Sequence, residues 1–88
     1  MYWHVRNNMK KPKLKKGIYQ HFKNHKFYDV QSVARHTETE EWMVIYKPLY
    51  RLDFADLCVR PYEMFFEKAK DPVSGKLVPR FSYIRKEK

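Results

Sequence analysis

The chain has 88 residues, enough for one domain, and 43% of them are hydrophobic, so it can bury a modest core. Its one cysteine, Cys58, excludes an intrachain disulfide, and the longest apolar run, residues 42–46, is far too short to span a membrane. The formal net charge is +9, and the basic start lacks the apolar stretch of a signal peptide. We therefore expect a cytoplasmic protein.

The positive charge is concentrated at the two ends of the chain. Residues 1–16 contain six basic and no acidic residues, and residues 85–88 add a net charge of +2. Residues 17–84 contain ten basic and nine acidic residues, so this part is nearly neutral. The pattern predicts a basic flexible arm (1–16), a single β-barrel domain (17–84) and a basic tail (85–88).

The first two predicted strands follow the arm. Apolar and polar residues alternate over residues 17–23, which is typical of a half-buried strand. Asn24-His25 predicts a two-residue turn, because Asn tolerates positive φ. A second strand covers residues 26–36, and its alternation slips at Gln31-Ser32, which predicts a bulge or a sharp bend.

Residues 41–50 predict a third strand, which is apolar on both faces and therefore central in the sheet. A loop over residues 51–56 leads to a short fourth strand over residues 57–60, which ends at Pro61.

A helical turn and a hairpin complete the predicted elements. Residues 62–66 predict one turn of 3₁₀- or α-helix, and its Met64, Phe65 and Phe66 are expected to cap the core. The turn residues Pro72 and Gly75 predict a final hairpin that ends near residue 83.

These elements predict a mostly β fold. No segment shows a 3.6-residue apolar period over ten or more residues, so long helices are excluded. A small SH3-like β-barrel of five to six short strands with one helical turn buries both sides of such a sheet, and an OB-like barrel is the alternative.

Five short motifs follow one another along the chain: Gly17-Ile18-Tyr19-Gln20-His21-Phe22-Lys23, Ala34-Arg35-His36-Thr37-Glu38-Thr39, Val44-Ile45-Tyr46 with Leu49-Tyr50, Val59-Arg60-Pro61 with Met64-Phe65, and Val78-Pro79-Arg80-Phe81. Through these motifs, residues 17–81, about three quarters of the chain, resemble a bacterial family catalogued as domain of unknown function 1653. The resemblance implies a small stand-alone bacterial domain and no particular reaction. The family usually has a Trp before Val-Arg-Pro, where this chain has Cys58.

A polar cluster is the first candidate site. Its side chains are expected at one end of the barrel, where they would bind a ligand: Arg35, His36, Thr37, Glu38, Tyr46 and Arg60. Arginine presents a planar fork that fits phosphate or carboxylate, and histidine is a switchable donor. The alternative is a structural turn, in which Thr37 and Glu38 bond backbone amides and Arg60 pairs with a carboxylate.

The basic arm and the aromatic residues are the second candidate. The arm lysines that would neutralise phosphates are Lys10, Lys11, Lys13, Lys15 and Lys16. The rings that would stack on bases beside Arg or Lys are Tyr19, Tyr28, Tyr46, Tyr50 and Tyr62. The alternatives are a solvated tail and a set of core tyrosines whose hydroxyls reach water or a carbonyl.

Metal, cofactor and catalytic sites are not indicated. His21 and His25 are four residues apart but lie on a predicted hairpin, so we expect no zinc site and no cofactor. Only two glycines occur, which excludes glycine-rich phosphate loops, and Cys58 in a strand is typical of a small buried hydrophobe. His36 and Glu38 would form an acid–base pair only with an activating partner that the sequence does not supply.

The sequence therefore favours a binding module over an enzyme. The leading hypothesis is nucleic-acid binding, to RNA, in which the arm supplies affinity and an aromatic and arginine surface supplies selectivity. The alternative is a domain that binds a small anionic ligand or a peptide at the His36, Glu38 and Arg60 end of the barrel.

Overall fold

The computed structural model describes residues 10–50 and 57–86, which form seven β-strands and one short helix. The elements are β1 (Gly17–His21), β2 (Phe27–Arg35), β3 (Trp42–Pro48), β4 (Cys58–Pro61), α1 (Tyr62–Phe66), β5 (Lys68–Lys70), β6 (Leu77–Pro79) and β7 (Phe81–Arg85). The predicted mostly β fold with one short helical turn is confirmed. The predicted loop at residues 51–56 lies outside the described residues.

Five of the strands form one antiparallel sheet in the order β4-β3-β2-β1-β7, and β5 and β6 form a separate two-stranded hairpin. The third predicted strand is central, as expected, because β3 pairs with both β2 and β4. Within the described ranges no pairing joins β4 to β7, so hydrogen bonds do not close the sheet. The SH3-like barrel therefore stays a prediction.

The predicted count of five to six strands is too low for the part of the chain described. The last predicted strand is divided into β6 and β7 at Arg80. Pro79 lacks an N–H group, and the Arg80 N–H donates to the carbonyl of Glu67 at 3.1 Å. The Arg80 carbonyl in turn accepts from the N–H of Phe22 at 3.0 Å, so the chain changes its pairing partner at this residue.

The predicted irregularity in the second strand is confirmed. The β2–β3 register shifts between Val30 and Ser32, so Gln31 is the extra residue of a bulge. A bulge bends a strand and increases its twist. The first part of β2 can therefore pair with β1 while its whole length pairs with β3.

The first turn is longer than the two residues predicted. His21 and Lys26 close it with an N–H···O bond of 3.0 Å, which leaves residues 22–25 in the turn. His25 takes the positive φ (61°), and the side chain of Asn24 accepts from the N–H of Lys26 at 2.8 Å. Asn24 thus stabilises the turn by its side chain and not by its backbone angle.

Aromatic rings fill the core on the inner face of the sheet. Phe65, the one buried residue of α1, is fully buried and stacks on Phe81 with ring centroids 4.1 Å apart and an interplanar angle of 3°. Phe66 packs against the same cluster, as predicted, but Met64 is 46% exposed. A helix of a single turn directs only one narrow side toward the sheet, so Met64 does not contribute to the cap.

Candidate functional site

A cleft of about 280 Å³ lies where the start of β3, the start of α1 and the segment before β1 meet. Its lining residues are Lys10, Pro12, Glu41, Trp42, Pro61, Tyr62 and Glu63. Met43 pairs with Pro61 across the β3–β4 ladder, so the next residues, Trp42 and Tyr62, are brought together. We call this feature the Trp42–Tyr62 cleft.

The segment over residues 10–16 is fastened to the domain next to this cleft, and we call it the basic segment. The hydroxyl of Tyr62 donates to the carbonyl of Lys13 at 3.0 Å, and that of Tyr19 donates to the carbonyl of Lys15 at 2.7 Å. Leu14 packs against the core between these two bonds. The division into arm, domain and tail stays a prediction, but this part of the predicted arm has defined contacts.

The five lysines of the basic segment all have exposed side chains. Lys15 places its Nζ atom 4.2 Å from the ring centroid of Tyr83, which is a cation–π contact. In the chain outside the undescribed stretches, no ion pair engages these five ammonium groups. Their charges therefore stay available to an anionic partner.

Arg35 lies at the same end of the sheet as the cleft. It is the cross-strand partner of Trp42, and its guanidinium carbon is 4.6 Å from the centroid of a Trp42 ring. The contact is a cation–π interaction, and both an aromatic ring and a guanidinium plane are surfaces on which proteins stack bases.

His36, Thr37 and Glu38 lie in the turn between β2 and β3. The Nδ1 atom of His36 accepts from the backbone N–H groups of Glu38 (3.1 Å) and Thr39 (3.2 Å). The structural alternative expects the side chains of Thr37 and Glu38 to bond backbone amides, whereas here the imidazole ring of His36 binds two of them. With its Nδ1 lone pair in use, His36 stabilises the turn.

Tyr46 and Arg60 lie on the inner face of the sheet. Tyr46 is 7% exposed and packs among Tyr28, Phe65 and Phe81. Arg60 is opposite Val44, and no hydrogen bond or ion pair joins it to His36 or Glu38 in the described chain. Of the predicted cluster, Arg35 contacts the cleft, while Tyr46 and Arg60 belong to the interior.

The five tyrosines considered from the sequence divide into two groups. Tyr19, Tyr28 and Tyr46 are buried in the core, which agrees with the alternative interpretation of these rings. Burial is the main cause that raises the pKa of Tyr19, with smaller effects from Tyr83 and Tyr62. Tyr62 lines the cleft, and Tyr50 is 41% exposed.

A chain of hydrogen bonds fixes the end of β3. Asn24 donates to the hydroxyl of Tyr28, which donates to the hydroxyl of Tyr50, each at 3.2 Å. The bond with Tyr28 and partial burial raise the pKa of Tyr50 to about 12, so its hydroxyl stays neutral. Lys26 adds a cation–π contact, with Nζ 4.8 Å from the Tyr50 ring.

Sequence reasoning missed most of the residues that line the cleft. The sequence predicts Glu41 and Trp42 only as strand residues and Pro12 only as part of the arm. It offers Glu63 only as a carboxylate for Arg60, and in the described chain no ion pair joins the two. The one signal for the cleft was the position of Arg35 next to the β2–β3 turn, which makes it a cross-strand partner of Trp42 once the turn is known.

Two negative findings apply to the residues whose positions are described. They contain no group of three or more His, Cys, Asp or Glu side chains placed to hold a metal ion. None of their helices is long and apolar enough to cross a membrane.

Fold and cleft together define a small antiparallel β domain that presents an aromatic cleft beside a basic segment. The chain belongs to the DUF1653 family of proteins of unknown function, whose profile matches residues 17–83. It is similar to the crystal structure of a DUF1653 protein from Bordetella bronchiseptica, with a TM-score of 0.75 and 28% identity over 85% of this chain and 92% of that one. No curated protein matches the chain.

Proposed function

We propose that the protein binds single-stranded nucleic acid, RNA in particular, with bases in the Trp42–Tyr62 cleft and phosphates along the basic segment. One observation carries the proposal: Tyr62 belongs to both features. Its ring lines the cleft, and its hydroxyl donates to the carbonyl of Lys13. Lys10 itself lines the cleft, so charge and rings lie side by side.

The lysines account for affinity in this proposal. Each phosphate that a lysine neutralises releases a counterion, and the logarithm of the affinity for a single strand falls with a slope of about −0.7 per phosphate. Five contacts from the basic segment correspond to a slope of about −3.5. Because these ammonium groups have no carboxylate partner among the described residues, no ion pair must be broken on binding.

The cleft accounts for base contacts. An exposed face of an aromatic ring accepts any base by stacking, at about 1–3 kcal/mol for each base by alanine substitution. Trp42 is half-buried and fixed by Arg35 on one side, so little side-chain freedom is lost when a base binds.

We also propose that the sheet is an SH3-like barrel. β4 and β7 are its outer strands, and the guanidinium carbon of Arg60 on β4 is 5.6 Å from the ring centroid of Phe81 on β7. A side-chain contact between outer strands supports a strongly curled sheet. Curling also reduces the exposure of strand edges.

Fluorescence anisotropy with a labelled single-stranded RNA tests the binding proposal. Trp42→Ala should weaken binding about tenfold, and Lys10→Ala/Lys11→Ala/Lys13→Ala should weaken it and flatten the salt slope. The matched control is Lys68→Ala/Lys70→Ala/Lys76→Ala, which removes three exposed lysines from the β5–β6 hairpin. Circular dichroism verifies that each variant is folded.

Two results contradict the proposal. One is the absence of RNA binding by the folded wild-type chain at low salt. The other is an equal loss of affinity in both triple variants, which would indicate a general response to net charge and no defined surface.

A cationic peptide is the second candidate ligand, because two carboxylates, Glu41 and Glu63, line the cleft together with two prolines. The double variant Glu41→Gln/Glu63→Gln separates the candidates. Carboxylates repel phosphates, so the variant should bind RNA equally well or more tightly. A cationic peptide should lose affinity for the same variant, because its charge partners are removed.

A further inference from the structure

A second cationic site lies on the inner side of the sheet, between its outer strands. The guanidinium of Arg60 on β4 and the imidazole of His21 on β1 both contact the Phe81 ring, with distances to its centroid of 5.6 and 4.8 Å. Arg80 directly precedes Phe81 in the chain. We call this group of Arg60, Arg80 and His21 the Arg60 site.

Arg60 has a charge that the described part of the protein does not compensate. Its Nε atom is buried and has no hydrogen-bond partner, and no carboxylate forms an ion pair with its guanidinium. A partly desolvated cation without a carboxylate partner is costly, because the charge loses contact with water and the cation–π contact with Phe81 is weaker than an ion pair. No hydrogen bond or ion pair to the described residues engages its Nη groups, so they can donate to a ligand.

The neighbours of Arg60 add further donors. Arg80 is paired through Nη2 with the carboxylate of Glu67 at 2.5 Å, but its Nε atom is also buried and without a partner. The Nδ1 atom of His21 accepts from the N–H of Lys23 at 3.0 Å, so the proton of the neutral ring lies on Nε2, which is a donor.

The pKa of His21 also indicates that positive charge predominates at the Arg60 site. Burial lowers the pKa of His21 most, and the positive charges of Arg60, Arg80 and Lys23 lower it further. No carboxylate contributes to the shift. The surroundings of His21 are therefore electropositive.

From these contacts we infer that the Arg60 site binds a small oxyanion of the phosphate class. Arg60 on β4 supplies a planar fork, His21 on β1 supplies a ring donor, and Arg80 between β6 and β7 adds a second positive charge that acts at His21. This combination suits an anion with three or more oxygen atoms better than a carboxylate with two. The bound anion compensates the charge of Arg60. This site shares no residue with the lining of the Trp42–Tyr62 cleft, and the inference does not depend on RNA binding.

Titration of the ¹⁵N-labelled full chain with inorganic phosphate, followed by NMR, tests the inference at constant ionic strength maintained with sodium chloride. Phosphate should shift the side-chain Nε–H of Arg60 and the ring signals of His21 in a saturable manner. Arg60→Gln should weaken binding at least about tenfold, because a charged fork is lost. The controls Lys70→Gln and Lys76→Gln, which each remove one exposed charge from the β5–β6 hairpin, should leave phosphate binding unchanged.

The inference is overturned if the wild-type chain shows no saturable shifts at these two side chains, or if Arg60→Gln binds phosphate as tightly as the wild type. The wild-type titration decides the question even if Arg60→Gln does not fold. RNA added to a phosphate-saturated sample distinguishes the two sites: shifts at Trp42 without displacement of phosphate indicate independent sites. Displacement of phosphate by RNA would contradict the separation of the sites.

Discussion

The imidazole of His21 lies between the aromatic core and two arginines, and its pKa lies below the ordinary value of 6.5. The unfolded chain therefore binds a proton at a higher pH than the folded chain. The contribution of His21 to the free energy of unfolding is fully present above pH 6.5 and is lost as the pH falls through the folded pKa.

We accordingly expect the stability of the wild-type chain to decrease more steeply between pH 7.5 and pH 5.5 than that of His21→Asn. The asparagine keeps a side-chain acceptor near the Lys23 N–H but does not titrate. Urea denaturation in a phosphate-free buffer measures both slopes, and equal slopes would show that His21 titrates normally in the folded state.

For single residues, the sequence identified the side chains that donate or carry charge better than it identified the groups that they contact. The sequence singled out Arg60 and His36 as one site, whereas Arg60 contacts Phe81 and His36 bonds the turn that it begins. His21, which contacts the same Phe81 ring as Arg60, and Arg80, whose charge also acts at His21, are 39 and 20 positions from Arg60 in the chain. Only the strand order brings these segments together, and strand order is not a local property.

Among the elements, the start of β1 depends on a glycine. Gly17 has φ of 146°, and a Cβ atom at this position would lie 2.5 Å from the backbone oxygen of Arg85 on β7. Gly17→Ala should therefore lower the free energy of unfolding by about 1–3 kcal/mol, since both the backbone angle and the contact are strained.

Gly75→Ala is the matched control for this change. Gly75 also has a positive φ (76°), but no atom lies within 4 Å of its Cβ position. Gly75→Ala should therefore lower the free energy of unfolding by about 1 kcal/mol, from the strained backbone angle alone. Thermal unfolding of the two variants compares them directly, and an equal or smaller loss for Gly17→Ala would show that the β1–β7 contact relaxes freely.

Local sequence patterns predicted the strands that pair with the next strand along the chain. Alternation located β2 and β3, and its slip located the bulge at Gln31. The division at Arg80 was missed because the N–H and carbonyl of this residue bond to two distant segments. The two hydrogen bonds that hold the basic segment could not be predicted either. The Tyr62 bond joins residues far apart in the sequence, and the Tyr19 bond depends on the position of a side chain. The run of lysines alone therefore predicted a flexible arm.

At the scale of the whole molecule, the positions of the charges say more about function than the net charge of +9 does. The central part of the chain is nearly neutral, and the lysines before it are held beside an aromatic cleft. The unpaired Arg60 lies inside the curve of the same sheet. The two proposals thus use two different groups of basic residues: the basic segment for RNA and the Arg60 site for a small anion.

The central claim is that the basic segment and the Trp42–Tyr62 cleft form one surface for single-stranded RNA. NMR titration of the ¹⁵N-labelled chain with a short single-stranded RNA tests it most directly. We predict the largest shifts at the Trp42 indole N–H, at the backbone of Tyr62 and Glu63, and over residues 10–16, all with one common dissociation constant. Saturable shifts confined to other parts of the chain, or no shifts at low salt, would contradict the account.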